Sequence, residues 1–205
     1  MNKSPILLGL IFWLLSSTCF SQAKSDSAEL KVMLERISKN KELMDTLTSP
    51  LVREDIPDFK GLNYYAYDPK YRVQARLKRN PYPRVFKMKT TTTREPEYRT
   101  YGEVQFNIGG KDYTLQLYQR VEPIRQPGYD KYLFLPFTDE TSGRETYGGG
   151  RFLDVFIPDN DILFLDFNSC YNPYCAYNHK YSCPIPPEEN DLPIKIPAGE
   201  KPFHK

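Results

Sequence analysis

Val104-Gln105-Phe106-Asn107-Ile108-Gly109-Gly110-Lys111-Asp112-Tyr113-Thr114-Leu115-Gln116-Leu117 is the stretch on which the fold turns. Val104, Phe106 and Ile108 alternate with polar residues, and after Gly109-Gly110-Lys111-Asp112 the alternation resumes at Tyr113, Leu115 and Leu117. A period of two sends successive side chains to opposite faces of a strand, and glycines between two such runs supply the positive φ of a hairpin turn. One apolar face and one polar face are the mark of a half-buried antiparallel sheet.

The same rhythm extends outward. Upstream, Tyr71, Val73, Ala75 and Leu77 alternate with Arg72, Gln74, Arg76 and Lys78. Further strands are expected over 85–91, 132–137, 152–157 and 162–167, punctuated by Pro81-Tyr82-Pro83, Pro127-Gly128 and Pro158-Asp159-Asn160. About eight short strands without helical segments between them predict a mainly β fold, an antiparallel β-sandwich or barrel. Ahead of the strands, Leu30, Met33, Leu34, Ile37, Met44 and Leu47 recur at helical spacing until Ser49-Pro50, which predicts an amphipathic helix packed by that stripe onto the core. Behind them, Pro184, Pro186, Pro187, Pro193, Pro197 and Pro202 forbid regular structure, while Ile185, Leu192, Ile194, Ile196 and Phe203 need burial. That combination predicts an extended C-terminal strap wrapped over the domain.

The N-terminus carries a different message. Lys3, the apolar run Ile6–Leu15 and the small, polar Ser16–Ala23 follow the order of a secretory signal peptide, with cleavage after Ser21 or Ala23. The run is too short to span a hydrocarbon layer of about 30 Å, so no transmembrane helix is expected in the mature chain. Cys19 raises lipid attachment as a minority reading, although Ser16-Ser17-Thr18 is a poor lipobox. The expected division is a signal peptide at 1–23, a helix over 24–50 and one β-rich domain over 51–205, exported to the periplasm or beyond, with anchoring to the envelope at Cys19 as the minority alternative. Removal of 1–23 takes Lys3 from the 28 basic residues and none of the 26 acidic ones, leaving a net charge of +1. No block of like charge occurs, so a nucleic-acid partner is not expected.

Candidate site residues concentrate late in the chain. Arg144, Tyr147, Arg151, Asp154, Asp166, Asn168, Tyr171 and Asn172 are polar or amphipathic groups gathered in one short region, the composition of either a ligand cleft or a buried polar network. Tyr147-Gly148-Gly149-Gly150-Arg151 would let backbone N–H groups converge on an anion flanked by Arg144 and Arg151. No Lys-Ser/Thr follows, so this is not a P-loop. The competing reading, which we favour, is a tight turn whose arginines pair with Glu145, Asp154 or Asp166. Asp139, Glu145, Asp154 and Asp166 also offer the paired carboxylates that a hydrolase needs, with no spacing that singles out two of them.

Leu133–Asp154 as a continuous block, Leu165-Asp166-Phe167-Asn168, Tyr171-Asn172-Pro173-Tyr174-Cys175-Ala176-Tyr177, Ser182-Cys183-Pro184-Ile185-Pro186-Pro187 and Ala198-Gly199-Glu200-Lys201 together resemble the bacterial family known as Domain of Unknown Function 1684. Ser49-Pro50-Leu51, Phe59-Lys60-Gly61-Leu62 and Tyr71-Arg72-Val73 sit in the matching order. The resemblance covers nearly all of the mature chain and implies a single-domain unit without an assigned activity. It includes Cys175 and Cys183, but not Cys170 or His179. With an exported location this favours a Cys175–Cys183 disulfide, whose seven-residue loop would contribute about 2–3 kcal/mol. Zinc held by Cys170, Cys175, His179 and Cys183, and free buried thiols, stay open as alternatives. No cofactor is expected. The reading is a non-enzymatic ligand-binding or accessory protein of the envelope acting on a small molecule or envelope component, with a small hydrolase and a purely structural envelope protein as the alternatives.

Overall fold

The computed structural model describes residues 27–122 and 127–203. Residues 1–23, read above as a signal peptide and including Cys19, and His204 lie outside the described residues. Eight strands form one sheet: β1 (Arg72–Arg79), β2 (Val85–Lys87), β3 (Glu97–Ile108), β4 (Lys111–Arg120), β5 (Tyr132–Asp139), β6 (Arg151–Phe156), β7 (Ile162–Asp166) and β8 (Asp191–Leu192). The main order is β6-β5-β4-β3-β1-β7, with β2 beside β3 and β8 beside β5. Every pairing is antiparallel except β5 with β8. The sheet is a curled half-barrel rather than a two-sheet sandwich. Its curvature has a local source in β3, where the register shifts between Thr100 and Gly102. A Cβ at Gly102 would lie 2.5 Å from the Lys78 carbonyl, so only glycine lets β1 and β3 approach there.

The alternating residues do what their period requires. Val73, Ala75 and Leu77, Val104, Phe106 and Ile108, and Leu115 and Leu117 all point into the main core. β5 departs from alternation because both of its faces are covered. Leu133, Leu135 and Phe137 enter the main core, while Phe134 joins Met88, Tyr98, Tyr118 and Phe152 in a second cluster. The strand expected over 85–91 ends at Lys87, and Met88–Thr91 continues as a loop that bonds to Pro96, Cys183 and Ile185.

The N-terminal helix, α1, covers residues 27–44, and its orientation corrects the sequence reading. Leu30, Met33, Leu34, Ile37 and Met44 are 48–57% exposed, and Leu47 beyond the helix is 90% exposed. The face turned to the domain is instead Val32, Arg36, Lys39, Asn40 and Leu43, of which Val32 and Leu43 are buried. Polar bonds, rather than apolar area, decide the choice. Arg36 donates to the carbonyls of Tyr65 (3.0 Å) and Asn168 (3.1 Å), and Asn40 accepts from Leu62 N (3.0 Å). No helix among the described residues is long and apolar enough to cross a membrane.

The proline-rich C-terminal segment runs along the domain. Ile185 N bonds to Lys89 O, Tyr65 N to Gly199 O and Lys201 N to Asn63 O. Leu192, Ile196 and Ala198 reach the main core, whereas Ile185 is 45% exposed. The anchor is Arg151, which is wholly buried. Its guanidinium pairs with buried Asp139 at 3.0 Å and donates to the carbonyls of Ile196 (2.9 Å) and Ala198. Asp139 in turn accepts from Ile196 N (2.8 Å) and from the Thr141 hydroxyl. Gly199 makes the last approach possible: at φ +75°, a Cβ would lie 2.3 Å from Cys170 Sγ.

Arg151→Met leaves a buried carboxylate and two strap carbonyls without their donor. We expect a loss of about 3–5 kcal/mol and a fall in Tm of roughly 10 °C. Denaturant melts should report this, and limited proteolysis of the variant should cut first within residues 192–200.

Candidate functional site

The structure separates the eight candidate residues into groups that the sequence had merged. Arg151 belongs to the core. Its partner is Asp139, not the expected Glu145, Asp154 or Asp166, because β5 and β6 bring the ends of those two strands together. Arg144 is exposed on the loop. Tyr147–Gly150 is the tight turn, closed by Gly150 N to Tyr147 O, with Gly150 at φ +82°. With one arginine buried and the other in solvent, the loop forms no anion cradle.

Asn168 and Asn172 are buried and structural. Asn168 Nδ2 donates to Asp68 O (2.9 Å) and Asp166 Oδ1 (2.9 Å), and its Oδ1 accepts from Asp68 N (3.0 Å). Asn172 Nδ2 donates to Glu200 Oε1 (2.7 Å) and Lys201 O (2.8 Å), holding the C-terminal segment. Glu145 pairs with Lys195 and accepts from Tyr65, which pulls its carboxyl below the usual range.

Asp154, Asp166 and Tyr171 meet in a cleft of about 640 Å³. Both edge strands of the half-barrel line it, β6 with Phe152, Asp154 and Phe156 and β7 with Phe164 and Asp166. It is therefore the open seam of the sheet. Tyr171 bridges one side through reciprocal backbone bonds with Phe152 (2.9 and 3.0 Å), and α1 lies along the other. Tyr171 and Tyr132 both donate to Asp154 Oδ1, at 2.7 and 2.9 Å. Burial, with Asp154 beside them, pushes both phenols well above the usual tyrosine range. Burial also raises the Asp166 carboxyl, against the opposing pull of its bonds from Asn168 and of Arg72.

Sequence reading missed the principal cation of this cleft. Lys39 places its ammonium 4.5 Å from the Tyr171 ring centre, 5.4 Å from Tyr174 and 5.6 Å from Tyr177. It makes no hydrogen bond or ion pair with the described residues. Desolvation lowers its pKa, and the more distant Glu200, Glu42 and Asp154 oppose that shift. Nearby, the buried Arg36 Nε lacks an acceptor. A lysine on an amphipathic helix ordinarily reads as a solvated face. The signal that could have found it is the 32-36-39-43 spacing, which places Lys39 and Arg36 on one face with Val32 and Leu43.

Cys170, Cys175 and Cys183 are free, buried thiols. Cys170 packs under the C-terminal segment and donates to Ala198 O (3.5 Å), away from the other two. Cys175 and Cys183 are neighbours, with Cys175 N donating to Cys183 Sγ at 3.1 Å and Tyr147 Oη 3.8 Å from Cys175 Sγ. The Cys183 thiol bonded to it draws the Cys175 thiol below its ordinary range, while Cys183 is raised. His179 is exposed, and no three His, Cys, Asp or Glu side chains gather in metal-binding geometry among the described residues.

Lys39 also acts on the fold. Burial lifts the Glu200 carboxyl above its usual range, and Lys39 is the first group pulling it back. A carboxyl raised in the fold contributes full stability below its unfolded pKa and loses it as pH rises through the folded one. Lys39→Met raises Glu200 further while removing a desolvated ammonium. The variant should equal or exceed wild type at about pH 4 and fall about 1–3 kcal/mol below it at about pH 8, read from denaturant midpoints.

Residues 57–201 match the model of a family described as protein of unknown function, DUF1684. The solution NMR structure of an uncharacterized protein from Haloarcula marismortui is similar to this chain, with 31% identity and a TM-score of 0.68. The match covers 87% of this chain and 96% of that one. None of the curated proteins matches. The block Leu133–Asp154 and the segments that follow it, which form the Arg151 anchor and much of the seam, fall inside the matched region, and the chain belongs to the DUF1684 family.

Proposed function

We propose that this chain is an exported, non-enzymatic binding protein of the cell envelope, and that it holds a small molecule in the seam cleft with an anionic group against Lys39. The observation that carries the reading is Lys39 itself: a partly buried ammonium caged by tyrosine rings, without an ion pair among the described residues, in the wall of a cleft of ligand size. Phe152, Phe156 and Phe164 offer an apolar surface to the rest of such a ligand. A carboxylate or phosphate reaching Lys39 would form a charge-assisted bond in a partly desolvated place. The hydrolase reading is the weaker one, since one oxygen of Asp154 and one of Asp166 each already accept two donors. The structural reading accounts for Arg151, Asn168 and Asn172 and for the pull of Lys39 on Glu200, but leaves the open cleft beside Lys39 without a role.

A thermal-shift screen of small carboxylates, phosphates and sulfonates bearing apolar groups tests the proposal. A ligand at 100 times its Kd should stabilise the native state by about 2.7 kcal/mol. Lys39→Met should abolish the shift and Arg144→Ala should leave it intact. A shift that survives Lys39→Met would place the ligand elsewhere.

Export rests on the order of charge, apolar run and small residues over 1–23, and it makes the Cys175–Cys183 bridge the expected oxidised form. Protein recovered from the envelope should begin at Gln22 or Lys24, or carry acyl chains on Cys19. Non-reducing peptide mapping should link Cys175 to Cys183 and leave Cys170 as a thiol. Recovery with Met1 intact and all thiols free would refute both.

A further inference from the structure

α1 turns the wrong way for a core helix, and the row it exposes is continuous. At 100° per residue, Leu30, Met33, Leu34, Ile37, Lys41 and Met44 fall within an arc of about 100°. The row is roughly opposite the Val32-Arg36-Lys39-Leu43 face that holds the domain, and Leu47 extends it past the helix end. No described residue covers the row, and an exposed apolar stripe of this length marks an interaction surface.

We infer that this row is a membrane-docking face, by which α1 lies in the interfacial layer of a lipid bilayer with the rest of the domain above it. Two observations select a bilayer over a second copy of the chain. The first is Lys41, which sits inside the apolar row, is exposed and has no ion pair among the described residues. In a helix pair it would be pressed into the partner's apolar row, a costly place for a charge. At a bilayer its stem lies along the apolar row while the ammonium reaches up to the headgroups. The second is the sequence ahead of α1. Read as an export signal, as in the proposed function, the apolar run Ile6–Leu15 engages the membrane before it is removed, and until then only residues 16–26 separate it from the helix. Eleven residues extend at most roughly 40 Å, so on that reading α1 first meets the bilayer surface before cleavage frees it. A helix this short and mixed in character lies on the membrane rather than crossing it.

The experiment uses the chain beginning at Lys24, since the core clusters and hydrogen bonds described above lie within 27–203. It is floated with vesicles of phosphatidylcholine alone and with added phosphatidylglycerol. Wild type should float with both, and Leu34→Glu with Ile37→Glu should reduce the floated fraction roughly tenfold while leaving Tm unchanged, because both positions face solvent. Trp13 is the sole tryptophan and precedes Lys24, so Ile37→Trp gives this chain a single tryptophan, on the row and selectively excited at the red edge of protein absorption. Its emission should shift to the blue on adding vesicles and be quenched by brominated lipid. A monomer that neither floats nor shifts would overturn the proposal. So would a concentration-dependent dimer that the double substitution dissolves and vesicles leave unaffected. Neither result bears on ligand binding at Lys39, which the thermal-shift screen reads separately.

Discussion

The buried pair of Arg151 and Asp139 is the constraint around which the rest of the domain is arranged. Removing both charges from water is costly, and neighbouring groups offset much of that cost, although Arg151 Nε is left without an acceptor. Asp139 accepts from Arg151, Thr141 and Ile196, and Arg151 donates onward to Ile196 and Ala198. Three stretches that share no local sequence logic, the ends of β5 and β6 and the C-terminal segment, are thereby fixed in one geometry. Apolar residues of similar volume could fill the space with equal stability, but they would not specify which carbonyls of the segment sit there. The benefit of the pair is register.

The sheet was legible because its strands have one dry face. Val73-Ala75-Leu77 and Val104-Phe106-Ile108 declare their orientation by period alone. Where burial is two-sided, as along Leu133–Phe137, alternation disappears and only strand length remains as a guide. The face of α1 was misread for a related reason. An apolar stripe on a helix ordinarily marks its inward side, yet Arg36 and Asn40 hold this helix through backbone groups far away in sequence, which no local pattern encodes. The site was half legible. Asp154, Asp166 and Tyr171 do meet, but Arg151 looked like a loop cation, and its burial depends on a segment more than forty residues further on. The two-residue parallel strand β8 carries no sequence signal at all.

The seam has a mixed origin that bears on how far its chemistry extends to relatives. Its walls, Phe152, Asp154, Phe164, Asp166 and Tyr171, come from the region matched to the family, 57–201. Its cations, Arg36 and Lys39, come from α1, which precedes that region. A relative could thus keep the half-barrel and its aromatic seam while presenting a different charge to it. In this chain the half-barrel supplies the opening, and the N-terminal helix determines what the opening meets.

The C-terminal anchor also sets a timetable. Asp139 waits 57 residues for Ile196, and Arg151 waits 47 for Ala198. A chain made from its N-terminus can pair β1, β3 and β4 early, since those hairpins are local, but β5 and β6 then hold two opposite charges whose remaining partners do not yet exist. Until Ile196 and Ala198 have been made, the Arg151–Asp139 pair lacks three of its hydrogen bonds. The delay leaves the early hairpins short of their final core, so the order in which the chain is made and the order in which its core closes differ by the 45–57 residues that separate Asp139 and Arg151 from their partners.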